Sequence, residues 1–142
     1  MLLHATCVAI KDKGVLLTGD PGSGKSDLAL RLIDEGAELV ADDMTKLCIV
    51  DEHLVATAPN TIAGMMEVRH VGLLRLPHRA SVTVSLYVEL VSQTENLERL
   101  PEGSSFVLLD HSVPLLKLPA LSASTPAKIR AALFFPPAVE ES

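Results

Sequence analysis

Tryptophan is absent from this 142-residue chain, and Tyr87, Phe106, Phe134 and Phe135 are its only aromatic residues. Basic residues are scarce too: 12 Lys and Arg stand against 18 Asp and Glu, for a formal charge of −6, and they form no cluster. Nucleic-acid binding needs positive charge to meet phosphates and commonly aromatic faces for stacking. The two shortages therefore exclude it and favour a protein or small-molecule acceptor. Hydrophobic residues make up 48% of the chain, yet no apolar run reaches the roughly 18 residues that span a bilayer. Met1 to Ala9 has neither a basic start nor a small-residue cleavage site. A soluble, cytoplasmic protein with no membrane partner is the expectation. Only Cys7 and Cys48 occur, each in an apolar strand-like run and outside any C-x-x-C pair, so both are expected to be buried free thiols.

What is present points to nucleotide chemistry. Gly19-Asp20-Pro21-Gly22-Ser23-Gly24-Lys25-Ser26 satisfies the pattern G-x-x-x-x-G-K-[ST] at every fixed position, with the apolar run Val15-Leu16-Leu17 before it and a helix-like run after it. Glycines let the backbone turn tightly and aim several N–H groups at one phosphate, and the start of the helix adds its positive dipole end. Within such a loop Lys25 reaches the β- and γ-phosphates and the Ser26 hydroxyl sits on Mg²⁺. ATP and Mg²⁺ are the ligands this motif calls for.

The length suits one domain, with residues 136–142 read as a fraying tail. Leu2 to Ile10 reads as a strand, Lys11 to Gly14 as a turn, and Val15 to Thr18 as the strand that delivers the P-loop. Helical spacing from Ser26 onward stops at Gly36. Ala37 to Ala41 then returns as a strand ending in Asp42-Asp43, and Lys46 to Val50 pairs with Leu54 to Ala58 as a hairpin. Pro59 to Met66 reads as a mobile loop near the site. Strands are expected over Val82 to Val88, Ser105 to Leu109 and Val113 to Leu118, with a polar loop over Ser92 to Gly103. Pro126 to Phe134 reads as a closing helix capped by Ser124 or Thr125.

Phosphoryl transfer also needs charge neutralisation and a base or orienting group for the nucleophile. Asp42-Asp43 closes the strand after the P-loop helix, where the carboxyl ends of strands line the ligand crevice of an open α/β sheet; one aspartate can serve the metal or nucleophile while the other supports the backbone. Asp110 is the rival metal carboxylate, because Phe106-Val107-Leu108-Leu109-Asp110 is the pattern of a metal-binding strand in many P-loop enzymes. His4 sits in an apolar strand upstream of the P-loop and can act on a phosphate or serve structurally. Glu67 and Arg69, two apart on an extended segment, share a face that can offer Glu to Mg²⁺ and Arg to phosphate oxygens, or they form a surface ion pair worth little.

Together these residues resemble the catalytic domain of HPr kinase/phosphorylase, which phosphorylates a serine of the phosphocarrier HPr and removes it by phosphorolysis. The resemblance is carried in order by His4 in LLHATCV, by GVLLTGDPGSGKSDLAL, by ELVADD and by MMEVRHVGLL, which is similar to the family's Glu-Val/Ile-Arg-Gly-Leu-Gly signature; it covers the first half of the chain. It implies a P-loop kinase core with a mixed β-sheet, an α/β fold related to phosphoenolpyruvate carboxykinase, in a short form lacking the family's N-terminal domain. It implies that His4 and Lys25 act on the phosphates, that Ser26 and Glu67 bind Mg²⁺, and that Asp43 is the catalytic base. Arg69 falls within the signature. An HPr-like phosphocarrier is the implied partner, and a homo-oligomer, hexameric in the family, the implied assembly.

The departures carry meaning as well. His70 stands where the signature has Gly, Asp27 where Glu usually follows the P-loop serine, and Ala5 where Gly commonly follows the histidine. The Arg-Pro-Gly-Arg-type loop tied to dephosphorylation has no match, since Val113-Pro114 is followed by Leu115-Leu116-Lys117-Leu118-Pro119. Kinase chemistry is therefore the expectation, and phosphorolysis is not. Two alternatives compete with it: a small-molecule P-loop kinase using Asp110, which would need an arginine-rich lid where Ser92 to Gly103 holds only Arg99, and a nucleotide-binding regulator without efficient transfer. The absence of an Asn-Lys-x-Asp segment argues against a GTPase.

Overall fold

The apolar runs around the P-loop are strands buried on both faces, which is why they read as continuous hydrophobic stretches instead of alternating ones. In the computed structural model, which describes residues 1–59, 63–92 and 97–138, the chain opens with β1 (Leu2–Leu3), β2 (Thr6–Ile10) and β3 (Lys13–Thr18). Helix α1 (Lys25–Asp34) follows, then β4 (Glu38–Ala41), the hairpin β5 (Thr45–Val50) and β6 (His53–Thr57), and a second hairpin, β7 (Met65–Val68) and β8 (Gly72–Arg75). The long β9 (Ser81–Val91), β10 (Ser104–Leu108), β11 (His111–Pro119) and α2 (Thr125–Phe134) complete it.

Among the described residues nine strands form one mixed sheet in which β1-β5-β6-β9-β3-β2-β4 run side by side, while β11 also joins β9 and carries β10. Strand β3 is parallel to β9, β9 is parallel to β11, and β2 runs antiparallel to both β3 and β4. The expected α/β fold with a mixed sheet is the fold observed. Val8, Val15, Leu17, Leu39 and Val88 point to the face that α1 covers with Leu28, Ala29, Leu32 and Ile33. Cys7, Leu16, Val40 and Tyr87 point to the opposite face, against Leu47, Leu54 and Leu108. Consecutive residues of β2 and β3 thus feed two separate cores, as the two-residue period of a strand requires.

Several expectations need correction. Leu2 to Ile10 is not one strand: the chain breaks at His4 and Ala5, because Leu2 and Leu3 pair with β5 whereas β2 pairs with β3 and β4. His4 therefore sits in an exposed bend and not inside an apolar strand. The loop expected over Pro59 to Met66 falls partly on residues 60–62, outside the described residues, and its end is ordered: Met65 and Met66 belong to β7, with Met66 buried in the core. Strand β8, four exposed residues without alternation, has no signal in the sequence. The polar stretch Ser92 to Gly103 and the tail expected to fray likewise extend beyond the described residues, at 93–96 and 139–142. Ser124 occupies the N-cap of α2 without a side-chain cap bond, and Thr125 instead donates its hydroxyl to the Pro119 carbonyl.

Both cysteines are free, but only Cys7 is fully buried; Cys48 is half-exposed. Burial pushes the Cys7 thiol from 9.0 up to about 12. The folded state thus favours the neutral thiol, so its contribution to stability is intact below about 9 and is lost as pH rises toward about 12. Denaturant unfolding across that window should fall more steeply with pH for the parent chain than for Cys7→Ala. Parallel slopes for the two proteins would contradict this.

Candidate active site

Strand direction gathers the site. Because β3 and β9 are parallel and β2 is antiparallel to β3 and β4, the carboxyl ends of β3, β4 and β9 meet the amino end of β2 at one edge of the sheet. That edge carries the P-loop after Thr18, Asp42-Asp43 after Ala41, and His4 before Thr6. The P-loop needs its glycines where the backbone turns left-handed: Gly22 has φ 80° and Gly24 φ 100°, and a Cβ on Gly24 would come within 2.9 Å of the Ala120 Cβ. Leu28 N–H makes the first bond of α1, to the Gly24 carbonyl, which leaves the N–H groups of Lys25, Ser26 and Asp27 without acceptors in the helix. Lys25 Nζ donates to the Gly19 carbonyl at 2.9 Å and the Asp20 carbonyl at 3.3 Å.

The aspartate pair divides into two environments. Asp42 Oδ1 accepts from Ser26 Oγ at 2.9 Å and from Thr6 Oγ1 at 3.1 Å. Asp43 turns away, with φ 68°, its amide donating to Thr6 Oγ1 at 3.1 Å and its carboxylate 3.8 Å from His4 Nδ1. Asp43 and His4 are 68% and 74% exposed, so that carboxylate is free to meet an incoming hydroxyl. Thr6 is the residue that sequence reasoning missed. Its only signal is a hydroxyl in an otherwise apolar strand, two residues after His4.

Across from these elements, the β7–β8 hairpin brings Met66 to Arg69 to the same cleft, of about 660 Å³, whose other walls are residues 21–27, Leu30, Asp42 and Asp43. Glu67 lies in β7, but Arg69 lies in the turn beyond it, next to His70 at φ 72°. They do not share a strand face as expected, although both line the cleft. Neither enters an ion pair among the described residues.

Asp110 lies elsewhere. It sits with Leu109 in the left-handed turn joining β10 to β11, at φ 64° and 48°. Strand β10 runs antiparallel to β11, so its carboxyl end points away from the P-loop edge. The nine residues of β11 lie between Asp110 and the Ala120 that touches Gly24, a span of roughly 30 Å at about 3.3 Å per residue. The apolar strand ending in Asp carries the right pattern in the wrong direction.

The residues present fit a nucleotide and Mg²⁺. The glycine turns and free helix N–H groups suit phosphate oxygens, and Ser23 Oγ is shielded from solvent with no hydrogen-bond partner among the described residues. No cluster of three or more His, Cys, Asp and Glu forms a cage among the described residues. Mg²⁺ is ordinarily held by one or two carboxylates with substrate phosphates and water completing its octahedron, and Asp42, Asp43 and Glu67 are among the carboxylates that line the cleft beside Ser26.

The sequence profile of the HPr Serine kinase C-terminal domain matches residues 1–133. The chain belongs to that family. The family match extends through the second half, where no motif was legible. HPr kinase/phosphorylase from Clostridium acetobutylicum is 32% identical over 129 residues, covering 89% of this chain and 42% of that protein. The protein of the same name from Lacticaseibacillus casei is 34% identical over 128 residues, covering 82% of this chain and 40% of that one. The chain thus spans about two fifths of the curated relatives' length. The solved Hpr(Ser) kinase/phosphatase of Coxiella burnetii superposes with a TM-score of 0.83 at 27% identity, covering 94% of this chain and 88% of that one. The HPr kinase fold is therefore shared across nearly the whole chain. No helix among the described residues is long and apolar enough to cross a membrane.

Proposed function

We propose that this chain transfers the γ-phosphoryl group of ATP to a serine hydroxyl of an HPr-type phosphocarrier protein. The observation that carries the reading is the single cleft lined by the P-loop, Asp42, Asp43, Glu67 and Arg69. The names of the relatives, HPr kinase/phosphorylase, support the acceptor. In this reading Lys25 and the α1 N-terminus hold the phosphates, and residues 19–24 wrap them. Ser26 and Glu67 hold Mg²⁺, with Asp42 orienting Ser26; bound Mg²⁺ neutralises charge on the phosphates. Asp43 takes the proton of the acceptor serine as its oxygen bonds to phosphorus and the bond to the β-phosphate oxygen breaks. His4 steadies that carboxylate, and Arg69 faces the transferring group.

Phosphorolysis is not part of the proposal, because the segment after Val113-Pro114 is strand β11 and carries no arginine loop. The small-molecule alternative loses its metal ligand with Asp110. Incubation with labelled ATP and HPr, followed by mapping of the label, tests the reading: label on an HPr serine is expected, and an unlabelled HPr beside an active small-molecule acceptor would overturn it.

The metal assignment has its own test. Glu67→Gln should raise the Mg²⁺ concentration needed for half-maximal transfer by about tenfold or more, and Asp110→Asn should leave the titration unchanged. A shift in Asp110→Asn alone would reverse the assignment.

A further inference from the structure

We infer that Thr6 is a positioning residue whose one hydroxyl sets the division of labour between Asp42 and Asp43. This rests on reading the cleft as a phosphotransfer site. Thr6 is fully buried, so its side chain touches no ligand and acts only through its neighbours. A hydroxyl has one donor and two acceptor positions. Thr6 spends the donor on Asp42 Oδ1, at 3.1 Å, and accepts from the Asp43 amide, at 3.1 Å. Two consecutive residues are therefore tied to one oxygen from a strand 36 and 37 positions away.

Each bond has a distinct consequence. The bond to Asp42 fixes the same oxygen that accepts from Ser26 Oγ, at 2.9 Å, so the rotamer presented to the start of α1 is set by Thr6. The bond from the Asp43 amide stabilises a left-handed conformation, φ 68°, that is uncommon for a residue with a Cβ. That conformation places the Asp43 carboxylate beside His4, while Ser26 Oγ meets Asp42. The approach itself comes from the β2–β4 ladder, whose register shifts between Cys7 and Val8, one step beyond Thr6. Such a shift marks a local irregularity of the kind that re-aims side chains at a sheet's end.

Thr6→Val keeps the branched shape and removes the hydroxyl; Thr6→Ser keeps the hydroxyl. ATP affinity by calorimetry with Mg²⁺ and with EDTA, and initial rates against HPr concentration, separate positioning from mere stability. In folded Thr6→Val the gain in ATP affinity from Mg²⁺ should fall about tenfold and kcat by about 10- to 100-fold, with KM for HPr unchanged and Thr6→Ser close to the parent. A folded Thr6→Val with parental Mg²⁺ gain and parental kcat overturns the inference, as does a serine variant no better than the valine one. The parent offers a check that needs no variant: the Asp43 amide should exchange slowly, and free exchange there would remove the basis of the proposal. If the parent transfers nothing to HPr, the kinase reading fails, and the Mg²⁺-dependent binding still decides the role of Thr6.

Discussion

Lys25→Ala is expected to bind ATP weakly and to lose phosphotransfer by about 10²- to 10³-fold, the usual cost of removing one preorganised contact to developing charge. Lys25 is the first residue of α1, and among the described residues its ammonium bonds only to the Gly19 and Asp20 carbonyls of the same loop. Truncation removes no packing from the core, because the buried face of the helix is Leu28, Ala29, Leu32 and Ile33. The variant should therefore unfold at the parent's denaturant concentration, and initial rates to HPr at saturating ATP make the measurement. A folded Lys25→Ala protein that transfers at the parental rate would show that the P-loop is not the phosphate site.

Asp43→Asn should keep near-normal ATP affinity and lose transfer by about 10²-fold or more, the range for a missing general base. A serine hydroxyl is a poor nucleophile at neutral pH, and the carboxylate that can take its proton is the exposed one of Asp43, since Asp42 is engaged by Ser26 and Thr6. Asparagine is the appropriate replacement for a second reason: it is among the few residues that tolerate the left-handed region, so the φ of 68° at this position survives the change. Calorimetry for ATP alongside rates to HPr gives the answer. Parental rates in a variant that binds ATP would move the base to another residue.

Much of the candidate site was legible because its signals are local. The P-loop is eight consecutive residues, and the conformations it needs are a property of glycine at Gly22 and Gly24. The apolar spacing of Leu28, Leu32 and Ile33 marks α1 within one residue of its observed start. Asp42-Asp43 could be placed beside the loop because a β-strand, helix, β-strand passage returns its second strand to the same edge. Other features could not be read this way. Strand β8 is short and exposed on every residue, so no apolar period announces it, and Arg69 was assigned to an extended segment that ends one residue earlier.

The sequence by itself determined a glycine-rich loop of the P-loop pattern on an α/β core, the elements that flank it, and the set of carboxylates that could complete its chemistry. Only the tertiary structure showed which of those carboxylates line one cleft with the loop. Asp43 and Asp110 both end apolar strands, and what separates them is strand direction: β4 ends at the P-loop edge, whereas β10 ends at the opposite one because it pairs antiparallel with β11. The contacts of Thr6 arise in the same way, from a register that joins residues 36 and 37 positions apart. Period and turn chemistry specify where a strand begins and which residues share a face, but which strand lies beside it, and in which direction, is set by the collective burial of two cores on one sheet.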